Sequence, residues 1–135
     1  MLQDNRGFSL LELLVVCSIV AILAGMAVPK ITQVMAGARS ARIEADLTTI
    51  DAAIVMYQND MGKAPTSLDD MKAYLNDADK LQPPVGDCML RDGKVETIAK
   101  DTAYTIKSDS ASSSTQAATV CRAYCGSHTA GDFGK

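Results

Sequence analysis

Gly7-Phe8-Ser9-Leu10-Leu11-Glu12-Leu13-Leu14 opens the stretch that decides the fold. From Phe8 the chain stays apolar as far as Val28, with a single charge, Glu12. As a helix, a segment of that length rises about 32 Å, the thickness of a bilayer's hydrocarbon core. A carboxylate inside such a segment costs roughly 2.5–3.5 kcal/mol on insertion scales. Glu12 therefore reads as a residue kept for a purpose. The plainer alternative is a protonated carboxyl hidden in a helix contact.

Two ordinary explanations of the segment compete. A secretory signal peptide would use the small residues Ala24, Gly25 and Ala27 as its cleavage site. However, Asp4 offsets Arg6 ahead of Phe8, and a carboxylate interrupts the apolar stretch. A simple anchor helix explains the length, but neither Glu12 nor the placing of Gly7 beside Phe8.

Arg6-Gly7-Phe8-Ser9-Leu10-Leu11-Glu12-Leu13-Leu14 resembles the class III leader junction of type IV pilins and type II secretion pseudopilins. The resemblance implies that a membrane aspartyl peptidase cuts after Gly7. Phe8 then becomes the N-methylated first residue, and Glu12 is the assembly carboxylate. Pro29 matches the proline that often kinks the family's long helix. Gly62-x-x-Pro65-Thr66-Ser67-Leu68 resembles the stretch that follows that helix. Partners implied are the prepilin peptidase, an inner-membrane assembly platform with its ATPase, membrane lipid before assembly, and further copies of the chain in a helical homo-polymer. The likeness covers about the first seventy residues.

Composition limits the rest. The 135 residues hold one domain besides the apolar helix. Formal charge is −3; with Arg6, Asp4 and Glu12 set aside, 12 basic residues face 14 acidic ones. That near-balance does not indicate nucleic-acid binding by charge. Stacking platforms for bases are also scarce, with no Trp, two Phe and four Tyr.

Cys17 lies in the apolar segment and reads as a small hydrophobe. Cys88, Cys121 and Cys125 belong to the outer domain. A metal site would need more ligands than these and His128 supply, and CxxC spacing is absent. A disulfide is the expected use. On a continuous strand Cys121 and Cys125 stand ~13 Å apart and cannot bond to each other. Cys88 is thus expected to pair with Cys121 or Cys125, closing a loop of about 34–38 residues worth roughly 4 kcal/mol.

Beyond Pro29 the helical pattern resumes. Ile43, Leu47, Ile50, Ile54, Tyr57 and Met61 form one apolar stripe, with Arg39, Arg42, Glu44, Asp46 and Asp51 mostly off it. Gly62 reads as the stop. Pro29 is expected to bend or open the middle of the helix. A short helix should start at Pro65-Thr66, capped by Thr66, with Leu68, Met71 and Leu75 facing inward. Pro83, Pro84 and Gly86 mark an irregular loop. Strands are expected at 94–99, 102–107 and 117–124, the first two joined as a hairpin by Lys100-Asp101. Residues 108–114 form a Ser-rich loop, and 126–135 a loose polar tail.

The fold class expected is α+β. A long N-terminal helix, its apolar half transmembrane, packs against a small antiparallel sheet of about three strands. The organisation is a cleaved leader at 1–7, a membrane and filament-core half at 8–29, an amphipathic half at 30–61 and a globular head at 62–135.

Asp87, Asp92, Asp101 and Asp109 sit in or beside loops, where some pseudopilins bind calcium. Their spacing matches no ligand pattern, so solvated turn aspartates are the reading. His128 reads as a surface histidine in the tail. Arg39 and Arg42 suit lipid headgroups or a neighbouring helix. Nothing resembles a phosphate loop or a catalytic triad, and no enzyme or cofactor is expected.

Orientation signals conflict. Arg6 stands on the short side, and Lys30, Arg39 and Arg42 on the long side, which by counting would put the head in the cytoplasm. Cysteine usage and the resemblance put it outside. The reading is a filament subunit of a type IV pilus, membrane-bound first and then part of a surface or periplasmic filament. The alternatives are a pseudopilin of a secretion or competence system, or a small secreted disulfide domain. A mature N-terminus at Phe8 separates the filament readings from the last, which would begin near Ala27.

Overall fold

The computed structural model describes residues 8–110 and 119–134. A single helix, α1 (Leu10–Met61), contributes to two compact units, one ending at Met35 and the other beginning at Ala36. Helix α1 passes through Pro29 without a break. Proline has no N–H, so the Gly25 carbonyl lacks its intrahelical donor there. Thr32 Oγ1 donates to the Pro29 carbonyl at 2.9 Å.

In the second unit α1 is a core element. Ile43, Leu47 and Ile50 are fully buried, with Ile54, Tyr57 and Ala53 beside them. Fully burying each large aliphatic side chain contributes about 1.5–3 kcal/mol. The predicted stripe ends one position early, since Met61 is 57% exposed. Ala36 and Ser40 extend it toward the N-terminus. Gly62 ends the helix in the left-handed region (φ +66°), its N–H reaching the Gln58 carbonyl at 2.9 Å.

Residues after Gly62 form a short 3-10 turn, Leu68–Met71. Met71 and Leu75 are buried and Leu68 is partly so, as their spacing predicts. The cap differs from expectation: Ser67, not Thr66, holds the N-cap position, and Asp70 accepts from the Thr66 N–H, the Thr66 hydroxyl and the Ser67 N–H. Those bonds, with Thr66's first, hold the Asp70 carboxyl below its usual range.

The strands are β1 (Gly86–Met89), β2 (Val95–Ile98), β3 (Tyr104–Ser110) and β4 (Thr119–Cys125). They make two antiparallel pairs, β1–β2 and β3–β4, not one three-stranded sheet. The expected hairpin across Lys100-Asp101 does not form. Strand β2 instead pairs back to β1, with Cys88 opposite Glu96. The reason is local: Leu90 and Gly93 close a tight turn, and Gly93 takes φ +84°. The predicted loop at Gly86 is therefore the start of a strand. Its positive φ (+114°) excludes a side chain, and an added Cβ would stand 3.2 Å from the Arg39 guanidinium carbon. Of the Ser-rich loop expected at 108–114, residues 108–110 belong to β3; residues 111–118 lie outside those described.

The C-terminal stretch is not a loose tail. Phe133 is fully buried and forms a β-bridge with Leu90. Arg91 N–H donates to the Asp132 carbonyl at 2.8 Å.

Polar side chains of α1 fasten the strands. Met89 N–H donates to the buried Ser40 hydroxyl (2.6 Å), which itself donates to the Ala36 carbonyl (3.0 Å). Ala123 N–H donates to Asp51 Oδ1 (2.8 Å), and the Tyr104 hydroxyl to Asp46 Oδ2 (2.8 Å). Burial first, and then this bond to Asp46, push the Tyr104 phenol well above its usual value. A phenol whose folded pKa exceeds its unfolded one, about 10, contributes fully below that pH. The contribution is lost as pH rises through the folded value. The head should lose stability above about pH 10, and Tyr104→Phe should flatten that loss. Urea midpoints of the full-length protein between pH 8 and 11 check it; equal slopes for both proteins would refute it.

Candidate assembly segment

Phe8 and Ser9 precede the helix, and Leu10 begins it. The Leu13 N–H reaches the Ser9 carbonyl at 3.2 Å, so Ser9 occupies the N-cap position. Glu12 falls in the first turn, where a carboxylate suits the positive helix end. Ser9-x-x-Glu12 also has the capping-box spacing.

From Phe8 to Met35 the described residues are exposed throughout. Phe8 is 80% exposed, and Leu10, Leu11, Ile22, Leu23, Met26 and Val28 are likewise exposed. An 18-residue window of α1 has mean hydropathy 2.6 with none of it buried. By length and composition it is a candidate membrane span. Helices apolar on all sides are stable only inside lipid or among other helices. Cys17 lies exposed on this same surface. Gly7, the proposed cleavage point, lies outside the described residues.

The other nominated residues have local occupations. Asp87 accepts from Thr97 Oγ1 at 2.6 Å. Asp92 meets both the Lys94 ammonium and its N–H, which hold the Asp92 carboxyl below its usual range. Among the described residues no cluster of three His, Cys, Asp or Glu could hold a metal ion. Arg39 does not stand free for lipid, since it packs over Gly86 and donates to the Asp87 carbonyl at 3.3 Å. Arg42 lies 4.0 Å from Asp46. His128 is not a plain surface residue. It meets the Glu96 carboxylate and stands edge-on to Phe133, with ring centroids 5.8 Å apart. Neither contact had a sequence signal, because each depends on the β2 and C-terminal placements. Cys88, Cys121 and Cys125 are buried, and all are free thiols in this structure.

A long helix with a bare apolar N-terminal half, a first-turn carboxylate and a small β head on its second half is the form of a pilin-like filament subunit. Residues 2–28 match the family described as "Prokaryotic N-terminal methylation motif". The chain is 29% identical over 99 residues to a type II secretion system core protein G from Klebsiella michiganensis, covering 73% of this chain and 68% of that one. It is 32% identical over 75 residues to the protein of that name from Klebsiella pneumoniae, covering 56% of this chain and 54% of that one. A third, from Pectobacterium carotovorum, is 32% identical over 71 residues, 53% and 46% of the two chains. No solved structure matches the chain. The leader motif and these relatives support a place for the chain in the type IV pilin and pseudopilin superfamily.

Processing gives a direct test of the junction. If Gly7 is the cleavage point expected from the sequence, a side chain there would collide where a peptidase must approach the backbone. Gly7→Val should leave full-length precursor in the membrane, seen by immunoblot and N-terminal sequencing. Normal mature protein beginning at Phe8 would refute the assignment.

Proposed function

We propose that the chain is a pseudopilin, a structural subunit of a periplasmic filament in a type II secretion-type system. The carrying observation is the extent of the similarity to core protein G. It runs over 99 residues, far beyond the 2–28 stretch of the methylation motif. That favours the secretion reading over the surface pilus that the leader alone suggested. The role is mechanical, not catalytic.

In this reading a prepilin peptidase trims the precursor after Gly7 and Phe8 is N-methylated. The bare apolar half of α1 sits in lipid until assembly. On assembly it exchanges lipid for neighbouring helices, so burial is transferred rather than newly gained. The inner-membrane platform and its ATPase drive the transfer, and the head stays extracytoplasmic. Glu12 supplies register. Its ionised carboxylate is costly in lipid, and the α-amino group of Phe8 on an adjacent copy is a cation at nearly the same depth. Pairing them relieves both burial costs.

Deleting the gene in its host should leave exported enzymes trapped in the periplasm, with surface pili unchanged. Loss of pili with secretion intact would instead support the surface-pilus reading. Glu12→Ala and Glu12→Gln separate charge from shape. Both should insert and be cleaved after Gly7, yet accumulate as membrane monomer with filaments scarce in electron micrographs. Filaments in wild-type number from both variants would remove the carboxylate from the mechanism.

A further inference from the structure

We infer that Cys88 and Cys125 are the disulfide-forming pair of the head, and that Cys121 remains a free thiol. The inference rests on the extracytoplasmic head proposed above.

Sequence spacing leaves Cys121 and Cys125 equivalent as partners for Cys88; the fold does not. Cys88 stands opposite Glu96 in the β1–β2 ladder. The Glu96 carboxylate meets His128. His128 forms a β-bridge with Cys125, with Cys125 N–H donating to the His128 carbonyl (2.9 Å) and His128 N–H to that of Cys125 (3.1 Å). These contacts place Cys88 and Cys125 in one region of the head, linked through Glu96 and His128. Both are fully buried in the same apolar cluster. The Cys125 thiol is pushed up to about 11, first by burial and next by the nearness of Cys88.

Helix α1 orders the strands along its axis. Ser40 holds Met89, the neighbour of Cys88, while Asp46 holds Tyr104, which stands opposite Cys125. Ser40 and Asp46 are six helical residues apart, an axial rise of about 9 Å. Asp51 holds Ala123, about 16 Å from Ser40 along the axis. Cys121 is two residues beyond Ala123 and away from Cys125. It lines a groove with Ala64, Pro65, Thr66 and Ile106, and stands opposite Ser108.

The chemistry is thiol–disulfide exchange with an extracytoplasmic disulfide oxidant, a protein or small-molecule disulfide. One cysteine, as thiolate, attacks the oxidant's disulfide and expels one thiolate, leaving a mixed disulfide. The second cysteine attacks the protein-side sulfur and expels the other. The Cys88–Cys125 bond forms, the oxidant's bond is reduced to two thiols, and the two cysteine protons pass to them. Thiolate is the reacting form. Two thiols closed off from solvent, with ionisation suppressed, exchange poorly once the head has folded. Oxidation therefore belongs to the open chain.

The test uses the full chain in detergent micelles, reduced and unfolded, then refolded in a glutathione redox buffer and digested with trypsin without reduction. Arg91 and Arg122 place Cys88, Cys121 and Cys125 on separate tryptic peptides. The expected product joins the Cys88 and Cys125 peptides, with Cys121 alkylated as a free thiol. Reducing that product should lower Tm by roughly 10 °C or more. Cys121→Ser should keep the bond and Cys125→Ser lose it. A Cys88–Cys121 or Cys121–Cys125 peptide, or three free thiols after refolding, overturns the pairing. Alkylating cells before lysis tests location separately. The bond in refolded protein but free thiols in cells refutes the extracytoplasmic head and leaves the pairing intact.

Discussion

A two-stranded β-ribbon is marginal in water, and among the described residues this head has two, unpaired with each other. Each becomes stable by lying on the apolar stripe of α1, where Ile43, Leu47, Ile50 and Ile54 are almost wholly withdrawn from solvent. The dependence is mutual, because the strands supply Cys88, Ile98, Tyr104, Ala123 and Cys125 to the cluster that covers the stripe. Apolar contact alone would let a ribbon slide along the helix. Ser40, Asp46 and Asp51 prevent this, each taking one hydrogen bond from a different strand. Removing such an acceptor strands a polar donor, at about 1–3 kcal/mol. Sliding is therefore opposed at three levels.

The two units of α1 meet opposite solvents with one backbone. After Ala36 the helix alternates apolar and polar faces and is completed by its own chain. Up to Met35 it is bare, and nothing in the described chain satisfies it. Composition makes the difference: from Phe8 to Val28 only Glu12 is charged, whereas Arg39, Arg42, Glu44, Asp46 and Asp51 crowd the second half. A protein with such a first half must be delivered to lipid or to a bundle of similar helices.

Local patterns in the sequence carried much of this. The helix, its stop at Gly62 and the inward Met71 and Leu75 all follow from spacing and backbone preference. Strand partnership did not. The segment at 94–99 has the same alternation whether it pairs forward or back, and only the tight Leu90–Gly93 turn selects β1. Asp46 and Asp51 looked solvated because a charge off an apolar stripe usually is. Their acceptor roles arise from backbone N–H and hydroxyl groups 58 and 72 residues away. Phe133 was read as tail because its neighbours are glycine and polar residues; its bridge partner Leu90 is invisible to local pattern. The leader junction was legible because its chemistry lies within nine consecutive residues, Arg6 to Leu14.

Those long sequence separations also order events in time. The stripe of α1 leaves the ribosome well before β4, which supplies the donor for Asp51, and before Phe133, which completes the core. The helix's apolar face thus spends much of synthesis uncovered, the condition under which nascent chains aggregate. Non-local closure is also slow, since the loop must be ordered before its contacts reward it. An apolar N-terminal half that leaves first and inserts into a bilayer would hold each copy apart from the next during that interval. The segment that later joins subunits would, on this timing, begin as the device that keeps them separate.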